Sequence, residues 1–242
     1  MFGAVPHSPY DIHFQVGPFP VRVTWTHWVV SAIFGWEGVN FAARVGLAEP
    51  GTPQPVFLVL WVVIVFLSIL IHELGHAIAA RAFGYPAEIV LYHFGGLAAF
   101  EPRRHTTFRE IVISLAGPVA GFVAYGGIWL ATVYGLPRLP PAESGLMRAV
   151  VWFTVSQAIF VNLYWGLVNL LPVLPLDGGR VSLAVCRAIN RRDGGVWAAW
   201  VSVAAAAVAT VWFWRIGMTF AGILFLFLGV QAWLGLTGRS LR

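Results

Sequence analysis

The sequence contains no lysine, a single cysteine and few charged residues of either sign. Asp, Glu, Lys and Arg make up 10% of the 242 residues, against roughly 25% in soluble globular domains. Cys186 has no second cysteine to pair with, so an internal disulfide and a multi-cysteine zinc site are excluded. Any bound metal therefore needs His, Asp or Glu ligands. The low charge also excludes an ordinary cytosolic enzyme.

Long apolar runs dominate the chain. Hydrophobic residues make up 59% of it, and the mean hydropathy is +0.78. Because these residues form uninterrupted runs, the pattern excludes a coiled coil, a collagen and a disordered chain. Five runs reach the roughly 20 residues that a membrane-spanning helix needs, namely 56–80, 111–136, 149–176, 196–214 and 216–236.

A sixth run, 23–43, is interrupted by Glu37 and is either another span or a helix lying in the membrane interface. Counting it as a span gives an all-α polytopic membrane protein with about six transmembrane helices. We predict that they form a single membrane-embedded domain over residues 1–242. The first twenty residues lack the pattern of a signal peptide, and we expect them to belong to the mature protein.

The arginines predict the orientation of the spans. In the six-span arrangement eleven of the 15 basic residues lie on the side of the termini and four on the other side, and arginine-rich loops are typically cytoplasmic. We therefore expect a protein of the cell (inner) membrane with both termini in the cytoplasm. The arginines lie at the ends of apolar runs, where they would contact the surface of the lipid bilayer. We therefore expect the bilayer as a partner and no nucleic acid.

A short β-hairpin is predicted near residues 86–102, between the second and third runs. Two β-prone segments, 88–94 and 97–100, are separated by Gly95-Gly96, which is a hairpin signal. Non-helical backbone at membrane depth is tolerated only against protein or a water-filled cavity. The hairpin is therefore expected to be re-entrant and to border such a cavity.

Within the run 56–80 the sequence is His72-Glu73-Leu74-Gly75-His76, a His-Glu-x-x-His motif. Residues four apart share a face of a helix, so the two imidazoles can bind one zinc ion while Glu73 reaches the same face. A structural pairing of His with Glu inside the helix bundle is the alternative. Ionisable groups in a spanning helix are costly and normally face a functional cavity, which favours the metal site, toward the cytoplasmic side in the six-span arrangement.

A catalytic zinc site takes three protein ligands and keeps a fourth position open. The end of the run 149–176 places Asp177 at the same depth as His76 in the six-span arrangement. Pro172 and Pro175 disrupt a regular helix there, and Gly178-Gly179 is predicted to form a flexible turn that lets Asp177 point inward. The alternative for Asp177 is an ordinary turn residue at a helix end.

These two motifs, His-Glu-x-x-His and the segment from Asn169 to Gly179, together resemble the site-2 protease family of intramembrane zinc metalloproteases. The resemblance extends over residues 19–182, where segments 20–25 and 116–118 and the Gly95-Gly96 hairpin also look like the family. One departure is Gly121, where many members carry Asn. The chain also looks like a minimal member without PDZ-like or CBS-like domains.

The resemblance implies a role for individual residues. It makes His72, His76 and Asp177 the ligands of one Zn²⁺ ion per chain, and Glu73 the general base. It also implies that Asn169 helps to hold the substrate carbonyl or its oxyanion. The hairpin with Gly95 and Gly96 would bind the substrate as an added strand.

The predicted function is therefore that of an intramembrane zinc endopeptidase, which cuts single-span membrane proteins within or near their transmembrane segments. A regulatory membrane partner is compatible with it. One alternative is a non-proteolytic metal-binding or metal-transport protein, although a carrier would show ionisable residues along a path across the membrane. Another is a zinc hydrolase acting on lipids or prenylated peptides, whose third ligand would more naturally be a Glu on another helix.

Overall fold

The computed structural model describes residues 6–44, 54–93, 95–100, 106–135 and 145–240. Within them lie four strands: β1 Ile12–Val16, β2 Phe19–Val23, β3 Ala87–Tyr92 and β4 Gly95–Phe100. The helices are α1 Trp25–Arg44, α2 Gln54–Ala82, α3 Thr107–Leu130, α4 Gly145–Asn169, α5 Asp177–Ile189, α6 Gly194–Arg215 and α7 Thr219–Ser240. A π-helical turn, Ala131–Gly135, continues α3.

Five helices in the described part of the chain are long and apolar enough to cross a membrane: α2, α3 with its π-helical turn, α4, α6 and α7. They correspond to the five predicted runs. The run 23–43 forms α1, a helix of 20 residues that is not among these five. The fold class predicted from composition and run length is confirmed, while the sixth span stays a prediction.

The chain divides into two compact units, of which the first comprises residues 1–101 and 119–165. Its centre is a four-stranded sheet in the order β1-β2-β3-β4. β2 pairs in parallel with β3, and the other two pairs are antiparallel. The prediction of an isolated hairpin at 86–102 was therefore incomplete, because two N-terminal strands extend it into a sheet.

The sequence carries a signal for these N-terminal strands. Apolar residues alternate at Phe19, Val21 and Val23, all buried, and Gly17 between the strands has a φ of 55°, which favours glycine. Helix α2 packs on one face of the sheet, because its buried apolar residues form a single core with those of β2 and β3. That core fixes the part of α2 that carries the His-Glu-x-x-His motif.

The second unit comprises residues 102–118 and 166–242. α6 and α7 pack together around the buried residues Val173, Ala206, Ala209, Phe225 and Leu228. The prediction of one helix over 149–176 was wrong. α4 ends at Asn169 because two prolines follow, and the chain turns before α5 begins at Asp177.

Candidate metal centre

His72 and His76 lie one turn apart on α2 and face each other. Their Nε2 atoms are 3.2 Å apart, and both residues are almost fully buried, with 3% and 4% exposure. Two nitrogens of a tetrahedral site with bonds of roughly 2.0–2.1 Å stand about 3.3 Å apart. The observed spacing fits two ligands of one zinc ion. The pairing of the two imidazoles predicted from the i, i+4 spacing is present.

Glu73 is buried on α2 with 5% exposure, and its side chain lies against the backbone of β4. A Cβ atom added at Gly96 would contact the Cγ of Glu73 and would lie 2.5 Å from its Oε1. Only a glycine leaves this space open. The structure therefore brings Glu73 and Gly96 together, two residues for which the sequence predicted separate roles.

Gly95 occupies the opposite face of β4, as expected for consecutive residues of a strand. A Cβ atom there would lie 2.9 Å from Cζ2 of Trp165, and its φ of 127° is rarely adopted by other residues. The prediction that Gly95-Gly96 forms the hairpin turn was wrong. Both glycines belong to β4, and Gly95 pairs with Tyr92. Sequence reasoning missed Trp165, which carries no signal apart from its bulk.

The hairpin is tied to the beginning of α1 by hydrogen bonds. The backbone N–H of Thr24 donates to the carbonyl oxygen of Leu91 at 2.9 Å, and Nδ1 of His27 lies 3.4 Å from the carbonyl oxygen of Tyr92. His27 is 2% exposed. His27 is therefore buried against the hairpin at Tyr92.

Asp177 is the first residue of α5 and is buried, with 6% exposure. Its carboxylate lies at a helix N-terminus, where the helix dipole favours a negative charge. Two backbone N–H groups fix the segment before it. The Leu176 N–H donates to the carbonyl oxygen of Val173 at 2.8 Å, and the Leu174 N–H donates to Oγ of Ser202 at 3.1 Å. Ser202, which is fully buried on α6, is a supporting residue that the sequence did not reveal.

The glycines after Asp177 lie in the first turn of α5 and not in a flexible turn. A Cβ atom at Gly178 would contact the carbonyl oxygen of Leu170, and one at Gly179 would lie 2.5 Å from the backbone N of Leu174. The prediction that this pair forms a flexible turn was therefore wrong. Its lack of side chains lets the helix approach the preceding backbone closely. Asn169, the partly buried last residue of α4, stays a predicted substrate contact.

Comparison with known proteins gives the family. The sequence profile of Peptidase family M50 matches residues 60–138 and 128–211, which is more than half of the chain. The chain belongs to this family. The matched region includes the His-Glu-x-x-His motif on α2 and Asp177 on α5.

The similar sequences include proteins that are named putative zinc metalloproteases. The chain is 33% identical to sll0528 of Synechocystis over 168 residues, and 33% identical to Rip3 of Mycobacterium tuberculosis over 173 residues. These matches cover 68% and 69% of this chain but only 40% and 41% of the relatives. The chain therefore matches less than half of the length of these relatives.

The fold is also that of a solved member. The site-2 protease from Methanocaldococcus jannaschii superposes with a TM-score of 0.58 and 19% identity, over 94% of this chain and 95% of the other. This M50 chain thus has the site-2 protease fold. With its family and its five apolar helices, it is an integral membrane protein.

Proposed function

We propose that this chain is an intramembrane zinc endopeptidase that hydrolyses peptide bonds within or near the transmembrane segments of other proteins. The observation that carries the proposal is the pair of imidazoles on α2, whose Nε2 atoms lie 3.2 Å apart. The proposed third ligand is Asp177, a buried carboxylate at the start of α5. Two imidazoles and one carboxylate are a ligand set typical of a catalytic zinc site.

The proposed site binds one zinc per chain through these three side chains. A bound zinc ion supplies Lewis acidity toward a peptide carbonyl and toward water. Glu73 lies next to His72 on the same helix, so its carboxylate can accept a proton from the attacking water and pass it to the leaving amine. Asn169 is proposed to donate a hydrogen bond to the substrate carbonyl oxygen, where negative charge develops.

The proposed substrates are single-span membrane proteins. A peptide in a spanning helix hides its carbonyls in hydrogen bonds between residues i and i+4, so the helix must unwind before it is cut. β4 is the outer strand of the sheet in the described part of the chain. An unwound segment that pairs with β4 beside Gly95 and Gly96 keeps its backbone groups hydrogen-bonded.

The proposed location is the cell (inner) membrane with both termini in the cytoplasm and the active site toward the cytoplasmic side. The asymmetric distribution of arginine supports this orientation. A site near that face shortens the path for water. We also propose that a membrane partner regulates this chain. The test is whether the cleavage rate changes when the partner is added.

The experiment measures metal content and cleavage together, on the purified chain in detergent with a panel of single-span substrates. The parent is expected to hold about one zinc per chain and to cut. Glu73→Gln is expected to retain the zinc and to lose at least about 100-fold in rate, as expected for a lost general base. Asp177→Ala is expected to lose zinc affinity by about 10-fold or more, because one of three ligands is removed.

Matched controls are available on the surface. Glu88→Gln and Asp193→Asn change the same residue types at exposed positions and are expected to keep both zinc and activity. Cleavage by Glu73→Gln at the parent rate would contradict its role as the base. Zinc bound by the parent without cleavage of any substrate would favour a metal-binding or metal-transport protein instead.

A further inference from the structure

The close contact between Glu73 and Gly96 joins the proposed base to the outer strand of the sheet. The atoms of Glu73 that a Cβ at position 96 would meet are Cγ, Cδ and Oε1, so the contact involves the end of the side chain. Glu73 is 5% exposed and has little room to move aside. Position 96 therefore limits where the carboxylate can lie.

The register of the sheet shows which way the backbone of Gly96 points. The carbonyl oxygen of Leu91 accepts a hydrogen bond from the N–H of Thr24, directly after β2, so the polar groups of Leu91 face β2. Leu91 is opposite Gly96 in the antiparallel pair of β3 and β4. A pair of this kind is not hydrogen-bonded, and the N–H and C=O of Gly96 consequently point away from β3, toward the outer edge of the sheet.

Gly96 thus has two properties at one position. Its backbone N–H and C=O face the edge where an added strand would bind, and its missing side chain leaves the space that the end of Glu73 occupies. Ala98, two residues further along, points to the same face of the strand and is buried. At position 96 this face is occupied by the side chain of Glu73.

We propose that Gly96 is a positioning residue, which aligns Glu73 with the substrate peptide bond that pairs with it. This inference rests on the proposed function, since it assigns Glu73 as the base and β4 as the strand that binds substrate. The scissile bond then lies beside the substrate residue opposite Gly96. A methyl group at position 96 displaces the carboxylate of Glu73 but leaves the backbone groups that bind the substrate strand in place.

The contact itself is tested by a double-mutant cycle that does not depend on activity. Gly96→Ala is expected to lower the unfolding temperature in detergent by about 5 °C, because an overpacked methyl group strains its surroundings. The same change is expected to have the same effect in a Glu73→Gln background, since glutamine has the same length. In a Glu73→Ala background the effect should disappear, because the three contacting atoms are gone.

The positioning role is tested with a cleavable single-span substrate. Gly96→Ala is expected to lower kcat by about 100-fold, the scale of a misplaced general base, with little change in KM or in zinc content. Gly126→Ala is the matched control, since an added Cβ there finds nothing within 4 Å. It should leave kcat and KM unchanged, and the unfolding temperature should be unchanged or slightly higher.

The outcomes separate this inference from the proposed function. If the parent cuts but the three backgrounds show equal effects of Gly96→Ala, the contact is wrong and the inference is overturned. An unchanged kcat in Gly96→Ala, or a loss that appears only in KM or in zinc content, overturns the positioning role as well. A parent that binds zinc but cuts nothing overturns the proposed function and, with it, the role of Gly96 in cleavage.

Discussion

Two Gly-Gly pairs adjoin the proposed site, and they meet different neighbours. At Gly95-Gly96 an added Cβ would meet side chains, those of Trp165 and Glu73. At Gly178-Gly179 it would meet backbone atoms of the segment from Leu170 to Leu174. A side chain can be displaced by itself, whereas a hydrogen-bonded backbone shifts only together with its whole segment. The first pair therefore controls the position of a functional group, and the second controls whether the local fold can form.

The largest effect is expected from Gly178→Ala. The added methyl group would contact the carbonyl oxygen of Leu170 and lie 2.6 Å from that of Leu171, and neither can move without shifting the whole segment. We expect a loss of about 3 kcal/mol or more in unfolding free energy, at the upper end for overpacked cores. Denaturant unfolding in detergent measures it, with Gly126→Ala as the control.

Zinc affinity gives a second test of the difference between the two Gly-Gly pairs. Gly178 follows the proposed ligand Asp177 directly, so Gly178→Ala should weaken zinc binding, whereas Gly96→Ala should not. Equal stability losses in the two variants, or equal zinc contents, would contradict the distinction between backbone and side-chain neighbours.

A smaller effect is expected from Ser202→Ala in the second unit. The change removes the acceptor of the Leu174 N–H bond, which measures 3.1 Å, and leaves that N–H without its partner. Loss of a buried hydrogen bond of this kind costs about 1–3 kcal/mol. The test compares unfolding of this variant with unfolding of Ser156→Ala, which changes an exposed serine whose Oγ donates to the carbonyl oxygen of Phe153 in its own helix. If the two variants lose the same stability, the segment before Asp177 does not depend on Ser202.

In the first unit, Ser68→Ala is expected to cost about 0.6–1.7 kcal/mol, between the average and the maximum found for interhelical hydrogen bonds in membranes. Nδ2 of Asn162 donates to Oγ of Ser68 at 2.9 Å, one turn before His72, and both residues are buried. The measurement is a double-mutant cycle with Asn162→Ala. Additive losses would show that the bond does not stabilise α2 against α4.

The smallest effect concerns the Asp11–Arg22 ion pair, whose atoms are 3.1 Å apart. Burial raises the pKa of Asp11, but hydrogen bonds from the Ser8 N–H and Arg22, with the charge of Arg22, outweigh it and bring the pKa below the ordinary 3.8. Because the folded state holds the carboxylate ionised, its contribution is present above that ordinary pKa. It is lost as the pH falls through the lower folded pKa.

Acid titration of unfolding measures this contribution. Asp11→Asn should be slightly less stable than the parent at neutral pH. The difference should begin to shrink below about pH 4, near the ordinary Asp value, and vanish only below the lower folded pKa. A constant difference over the whole range would show that the ion pair does not contribute through ionisation.

Features that depend only on spacing along one helix or strand could be predicted from the sequence. The i, i+4 histidines had to share a helix face once residues 56–80 were helical, and their Nε2 atoms lie 3.2 Å apart. The prolines after Asn169 signalled a helix end, although the predicted span ran past them to residue 176. Strand alternation at Phe19, Val21 and Val23 was also present, and could have predicted the second strand.

The sequence by itself determined the membrane class, the motif-bearing helix and the residue types able to bind zinc, because these depend on composition and on spacing along one element. Only the tertiary structure decided what the glycines do, with Gly96 against Glu73 and Gly178 against Leu170. A Gly-Gly pair predicts a turn when only its own backbone is considered. Whether it is needed for conformation or for space depends on which atoms the fold brings next to it, and those atoms come from other parts of the chain.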